Sequence, residues 1–98
     1  MNVGTFTLEV DNELLEEFDF EGMLIHPHNQ DLGMLVLSSK DDSFTLHIFK
    51  IMLQNESYHI ENKLLQQTFS TLQNMYVFLE SFSTFSSDQF SSFLEQVE

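Results

Sequence analysis

The chain begins with a period-two alternation of apolar and polar residues. In residues 5–10, Phe6, Leu8 and Val10 fall on one side, and threonines and Glu9 fall on the other. Alternation of this kind is typical of a strand with one buried face. It predicts a half-buried first strand that ends where an acidic segment begins.

Two further apolar runs, residues 23–26 and 33–38, predict two more strands. Residues 27–32 join them and carry the only proline, Pro27, which suits a loop. A two-residue turn at Lys40 and Asp41 then predicts a hairpin to the next apolar run. Its register pairs apolar side chains, Leu37 with Phe44 and Leu35 with Leu46.

Residues 43–53 form the longest apolar run and are predicted to be the central strand. Their alternation changes phase between Ile48 and Phe49, which indicates either a bulge or burial on both faces. A second hairpin is predicted to turn at Asn55 and Glu56. Its register places Leu53 opposite Tyr58, Ile51 opposite Ile60 and Lys50 opposite Glu61.

After Lys63 the apolar period becomes helical. The segments 70–73 and 86–89 each have the spacing of a helix-capping box, and an amphipathic stripe follows each of them. The break between the two helices falls at residues 83–85. The predicted core-facing stripes are Leu72, Met75, Tyr76, Leu79 and Phe82 in the first helix, and Phe90, Phe93, Leu94 and Val97 in the second.

These elements predict an α+β fold, with an antiparallel sheet of about five strands and two C-terminal amphipathic helices packed on one face. The other face is expected to be at least partly open. We expect residues 1–98 to form a single domain, with the strands and an acidic connection in 1–63 and the helical part in 68–97. The acidic connection is predicted to be a short helix or turn, with Asp11 or Asn12 as the helix cap. Its end, residues 18–22, alternates and could equally be extended.

Charge is the feature that departs most from an ordinary small domain. The formal net charge is −13, with three lysines and no arginine, whereas small soluble domains usually lie within about 2 to 8 units of neutrality. Binding to nucleic acid or to an anionic membrane is therefore disfavoured. The chain has no cysteine, no apolar run long enough to span a bilayer and no basic, apolar leader. We expect a soluble cytoplasmic protein.

Seven carboxylates lie in the thirteen residues 9–21, with no positive charge among them. Either they form a solvated surface that serves solubility, or they face a basic partner. Aromatic residues among carboxylates suit a binding hot spot with a charged rim, and Phe85, between the helices, is a further candidate for exposure. The predicted partner-binding residues are Glu9, Asp11, Glu13, Glu16, Glu17, Phe18, Asp19, Phe20 and Glu21.

Catalytic motifs are lacking in the sequence. It contains no nucleophile elbow and no glycine-rich phosphate loop. His26 and His28, with Asp31 as a third ligand, are a metal-site candidate, but two solvated histidines in a polar loop explain the same residues. His47 and His59 fall on different strands and are interpreted as titrating sheet residues. We expect no enzymatic activity, no cofactor and no bound metal.

At the level of class, the chain resembles small acidic phage-encoded inhibitors of nucleic-acid enzymes, such as anti-CRISPR and anti-restriction DNA mimics. The resemblance lies in its size, its lack of cysteine and the acidic segment 9–21 set on a small α+β scaffold. It implies a nuclease or another DNA-binding protein as partner, inhibited without catalysis to evade host defence, and the host cytoplasm as location.

Three hypotheses follow for function. The first is a non-enzymatic acidic inhibitor that occupies the basic site of a nucleic-acid-binding enzyme. The second is a homo-oligomeric scaffold or adaptor module that uses an open sheet face or edge, with the charge kept for solubility. The third is a small metal-dependent enzyme that uses His26 and His28.

Overall fold

The computed structural model describes residues 2–3, 6–41 and 44–97, and the side chains of 7–41 and 44–97. Thr5 and Ser43, which the sequence placed in predicted strands, lie outside these residues. The helices and strands, in chain order, are β1 Asn2–Val3, β2 Phe6–Glu9, α1 Asn12–Glu17, β3 Phe18–His26, β4 Asn29–Ser39, β5 Thr45–Gln54, β6 Ser57–Thr68, α2 Leu72–Ser83 and α3 Ser87–Val97.

One sheet contains all the strands that the structure describes, in the order β1-β2-β6-β5-β4-β3. It is curled into a half-barrel. The predicted α+β class is confirmed, but the predicted all-antiparallel sheet is wrong because β2 pairs in parallel with β6. The partners in this pair are far apart in sequence, so no turn signal marks them.

The segment that contains α1 connects the two sides of the sheet, because β2 lies near one edge and β3 forms the other. Four strand spacings separate β2 from β3, about 19 Å if the sheet were flat. Two extended residues and six helical ones reach only about 20 Å in total, and the ends are also offset along the strands. The short connection therefore requires the curl.

Both faces of the sheet carry a buried apolar cluster. We call one the helix face, because Met34, Val36, Leu46 and Ile48 pack there against α2 and α3. We call the other the α1 face, and its buried residues are Leu8, Leu35, Leu37, Phe49, Ile51 and Tyr58. The helices thus cover one face, as predicted, and the other face, which we expected to be at least partly open, carries a buried cluster with open clefts beside α1.

The β5–β6 hairpin turns at Asn55 and Glu56, as predicted. Both residues have positive φ, 52° and 70°, which is the backbone of a type I′ turn. The predicted pairs Leu53 with Tyr58 and Ile51 with Ile60 are confirmed.

The third predicted pair, Lys50 with Glu61, is wrong, because Lys50 lies opposite Asn62. The register between β5 and β6 shifts twice, at Glu61 and at Leu64, and each of these β6 residues has no partner residue in β5. Central strand β5 keeps its alternation and is buried on both faces. A register shift does fall between Ile48 and Phe49, where a bulge is the alternative prediction, but its extra residue is Leu64 in β6. A bulge also puts Leu64 and Leu65 on the same face.

The predicted β4–β5 register is also wrong. Leu37 lies opposite His47 and Leu35 lies opposite Phe49, three residues away from the predicted pairing. An apolar strand that is buried on both faces offers an apolar partner in either register, so the pattern could not choose between them. The loop predicted over residues 27–32 is shorter than expected, because β4 already begins at Asn29.

The starts of α2 and α3 can be compared with the two predicted capping boxes. At α3, Ser86 and Gln89 form the predicted reciprocal cap, with Gln89 N–H donating to Ser86 Oγ at 3.2 Å and Ser86 N–H donating to Gln89 Oε1 at 2.8 Å. At α2 the cap is Thr71, one residue later than predicted, and its Oγ1 accepts from the N–H of Asn74. Strand β6 runs on to Thr68, beyond the predicted change of period after Lys63.

The predicted stripe of α2 is partly wrong. Met75 and Phe82 are buried as expected, but Leu72 and Tyr76 are 39% and 55% exposed. Phe78 takes their place in the helix-face cluster. Phe85 also belongs to that cluster, with its ring centroid 5.1 Å from that of Phe82, so its predicted exposure is wrong.

The glycines Gly22 and Gly33, both in the sheet, differ in the space available for a side chain. At Gly33 an added Cβ would lie 2.9 Å from the backbone oxygen of Leu24 and 2.9 Å from Ile25 Cδ1. At Gly22 it would meet no atom within 4 Å. We expect Gly33→Ala to lower the free energy of unfolding by about 1–3 kcal/mol through overpacking, and Gly22→Ala to leave it nearly unchanged. Urea denaturation of both variants measures this, and equal stabilities would contradict the packing at Gly33.

Candidate acidic interface

The acidic segment, residues 9–21, divides its side chains between solvent and core. On α1, Leu14 packs against the α1 face of the sheet, whereas Glu13, Glu16 and Glu17 are exposed. Leucine burial fixes which side of this short helix faces the sheet, because helix residues of one face share one direction. The helix therefore holds its carboxylates outward.

The rest of the segment is extended. The helix ends where β3 begins, and the N–H of Phe18 donates to the carbonyl of Leu14 to close the last turn. Asp19 and Glu21 are exposed on β3, and the Glu21 carboxylate accepts a 2.9 Å hydrogen bond from the buried Ser38 hydroxyl. A register shift between Phe20 and Gly22 leaves Glu21 as an extra residue in β3.

All seven carboxylates predicted to bind a partner are exposed in the structure. Two of them lie before α1, at the end of β2 and at the N-cap position, three lie on α1 and two on β3. Along the chain they pass from the end of β2 over the α1 face to the β3 edge, where Asp19 and Glu21 lie on the helix-face side of the strand. These residues are Glu9, Asp11, Glu13, Glu16, Glu17, Asp19 and Glu21.

Phe18 and Phe20, the two aromatic residues predicted to anchor a partner, have different environments. Phe18 is half-buried in the α1-face cluster, with its ring centroid 4.7 Å from that of His47 in an edge-to-face arrangement. Phe20, opposite Leu37, is 37% exposed. Phe18 thus supports the fold beneath the carboxylates, and Phe20 is the aromatic residue that a partner reaches more easily.

His47 is a buried polar residue beneath Phe18 of this segment. Its side chain is 5% exposed, and its Nε2 lies 2.6 Å from the Ser39 hydroxyl. Its Nδ1 is buried and has no hydrogen-bond partner in the part of the chain that the structure describes. Burial, and to a lesser degree the charge of Lys63, lowers the pKa of His47 below its ordinary value. The imidazole is therefore neutral at pH 7.

Two open clefts flank α1. One, of about 420 Å³, lies beside its first turn and is bordered by Asp11, Leu14 and Ile60. The other, of about 440 Å³, lies beside its last turn and is bordered by Glu17 and Phe18. Carboxylates border both clefts, so neither suits an anionic substrate.

The histidines proposed as metal ligands have other contacts. Nδ1 of His26 accepts a 3.1 Å hydrogen bond from the N–H of His28, and the His26 ring packs edge-on against Phe90 at 4.9 Å. The two imidazole centroids are 6.4 Å apart. Within the described ranges, no group of three or more His, Cys, Asp or Glu side chains is placed to hold a metal ion. The metal-site candidate lacks structural support.

Two features of this region went unrecognised in the sequence. The burial of His47 had a signal, since it lies between Leu46 and Ile48 in an apolar run. The position of β3 at the sheet edge had none, because strand order depends on pairings between distant segments.

Comparison with known proteins adds nothing to this geometry: no family model, curated protein or solved structure matches the chain. Among the described residues, no helix has both the length and the apolar character needed to cross a membrane.

The lowered pKa of His47 predicts a pH dependence of stability. As pH falls below the ordinary value of 6.5, the unfolded chain binds a proton that the folded chain does not, so the free energy of unfolding decreases until the folded-state pKa is passed. In His47→Gln we expect a smaller decrease between pH 7 and pH 5, measured by urea denaturation.

His28→Gln is the matched control, because His28 is exposed. Protonation of the carboxylates acts on all three proteins and cancels in the comparison. A wild-type pH dependence in His47→Gln would contradict a neutral, buried imidazole at this position.

Proposed function

We propose that this protein is a non-enzymatic acidic inhibitor that occupies the basic site of a nucleic-acid-binding enzyme. The observation that supports this most directly is the arrangement of residues 9–21, in which all seven carboxylates are exposed while Leu14 and Phe18 hold the segment on the sheet. The charges are thus presented on a frame that is ordered before binding, which lowers the entropic cost of association.

On β3, which carries Asp19 and Glu21, the repeat of side chains can be compared with the charge spacing of a nucleic acid. Side chains on one face of a strand repeat every ~6.8 Å, about twice the ~3.4 Å between charges along one DNA strand. With a net charge of −13, the protein would be steered rapidly toward a cationic groove, and its binding would weaken with salt. A basic groove built for phosphates is therefore the partner surface that this segment fits.

The partner class follows from the same chemistry. A nuclease of a CRISPR or restriction system has a cationic channel for DNA, and a protein that fills the channel inhibits the enzyme without a reaction. Under this proposal the protein is a phage-encoded DNA mimic of the anti-CRISPR or anti-restriction type, which acts in the host cytoplasm. The exposed Phe20 adds an apolar contact within the charged rim.

A homo-oligomeric scaffold or adaptor module is the second candidate. Association through an open sheet face loses support, because both faces of the sheet carry buried clusters. Association through a sheet edge is favoured by one observation. β3 is the last strand in the order of the sheet, with no strand beyond it among the residues that the structure describes. Sedimentation that shows a dimer would favour this candidate.

Charge reversal on α1 tests the proposed function. We expect the triple variant Glu13→Lys, Glu16→Lys and Glu17→Lys to fold normally, because these side chains are exposed, and to bind its partner at least about tenfold more weakly. The measurement is capture from a host lysate at about 50 and about 500 mM salt, identification of the protein bound, and assay of DNA binding by that protein.

A matched control carries the same change in net charge elsewhere. Glu80, Asp88 and Glu95 are exposed on α2 and α3, and their reversal to lysine should preserve capture and inhibition. Equal loss in both triple variants would show that net charge alone matters, and undiminished binding by the α1 variant at low salt would refute the proposal.

A further inference from the structure

At the outer edge of β3, beyond which the described residues contain no further strand, the hydrogen bonds toward β4 show which backbone groups point outward. The N–H of Lys40 donates to the carbonyl of Glu17 at 3.0 Å, which makes these two residues a hydrogen-bonded pair between the strands. Since hydrogen-bonded and non-hydrogen-bonded pairs alternate in an antiparallel ladder, Asp19 bonds toward β4, and Phe18 and Phe20 point their backbone groups away from it. The N–H of Phe18 closes α1. Phe20 therefore directs its N–H and carbonyl to the outside of the sheet.

An apolar cavity lies beside this edge, on the helix face. Its volume is about 150 Å³, and an apolar cavity of about that size admits a benzene ring. Gly22 borders it opposite Val36, and a Cβ at Gly22 would meet no atom within 4 Å. The apolar residues of the helix-face cluster that line the cavity are Leu24, Val36, Leu79 and Phe82.

The negative charge at this edge favours a basic strand as the one that pairs with β3. Asp19 and Glu21 are exposed on either side of Phe20, and Glu21 also borders the cavity. Two copies of β3 paired edge to edge would bring these carboxylates together, and like charges across a strand pair are destabilising. A strand with lysine or arginine beside an apolar residue satisfies both the carboxylates and the cavity.

We propose that β3 is a docking edge for an extended basic segment of the partner, which adds to the sheet as a further strand and places one apolar side chain in the cavity. In strand addition, backbone hydrogen bonds give affinity and pockets for alternate side chains give specificity. This inference rests on the proposed function, because it assumes a basic partner, and it specifies how that partner is held.

The probe is the labelled peptide acetyl-Thr-Lys-Thr-Leu-Thr-Lys-Thr-amide. In an extended peptide the leucine and both lysines point to the same side. Because the sequence reads the same in both directions, the peptide can pair with β3 in a parallel or an antiparallel orientation. We expect binding to the whole 98-residue chain by fluorescence anisotropy, with amide shift changes in NMR spectra centred on β3. Replacing the central leucine by serine should weaken binding about tenfold to a hundredfold, the range that burial of one such side chain implies.

Two substitutions at one position separate the backbone from the side chain. Phe20→Pro removes the outward N–H, and proline is tolerated on an edge strand at such a position. Phe20→Ala removes the ring and keeps the N–H. We expect the proline variant to bind the probe at least about tenfold more weakly than the alanine variant, because only the former blocks strand addition. Thermal unfolding followed by circular dichroism confirms that both are folded.

Gly22→Val tests the cavity without touching the backbone groups of Phe20. The new side chain narrows the cavity, so the leucine peptide should lose affinity while the serine peptide changes little. The proposal is overturned by equal binding to the proline and alanine variants, by shift changes away from β3, or by no binding up to about millimolar peptide. A dimer of the wild-type protein that Phe20→Pro abolishes would assign the edge to a second copy and would also overturn it.

The two proposals fail separately. Loss of partner capture in the α1 charge-reversal variant with full capture by Phe20→Pro would leave the acidic inhibitor standing and remove strand addition. Peptide binding at β3 together with unimpaired capture by the α1 variant would establish the edge as a peptide site and remove the acidic groove-filling function.

Discussion

The chain must cross from one side of the sheet to the other between Glu9 and Phe18, and most of the structure depends on how it does so. The connection is too short for a flat sheet, so the sheet curls toward it. The crossing then covers the α1 face, with Leu14 and Phe18 packed on the cluster that Leu35 and Ile51 form. Because those apolar residues occupy the inner side of α1, its carboxylates have only the solvent side left.

A central strand that is buried on both faces is the second constraint. Residues of β5 contribute alternately to the helix face and the α1 face, so a small domain obtains two thin cores from one sheet. His47 lies on this strand with its imidazole on the α1 side, against Phe18. A buried polar group with an unpaired nitrogen costs stability, and here it lies beneath the segment that carries the candidate interface.

Local signals in the sequence were sufficient for local structure. The turn at Asn55 and Glu56 and the cap at Ser86 were predicted because a few adjacent residues determine each of them. The β4–β5 register failed because β5 has no polar face to distinguish one pairing from another, and the pairing of β2 with β6 joins segments about fifty residues apart. The bulge at Leu64 obscured the alternation of β6, so the sequence predicts the end of this strand at Lys63, five residues too early.

The candidate interface divides in the same way. The exposure of the carboxylates follows from their chemistry and from the apolar spacing of α1. The difference between Phe18 and Phe20 did not follow, because both fall in the same phase of one strand and are distinguished only by their neighbours. Phe18 lies against His47, whereas Phe20 lies next to the register shift at the sheet edge.

The division of the acidic segment between inward and outward positions has an evolutionary consequence. The inward residues Leu14 and Phe18 are constrained by the core, so substitutions there are removed by selection for folding. The outward carboxylates make little contribution to packing, and mutation can change their number and position at little cost in stability. Under the proposed function, such a surface can follow a changing partner over generations while the scaffold beneath it stays the same.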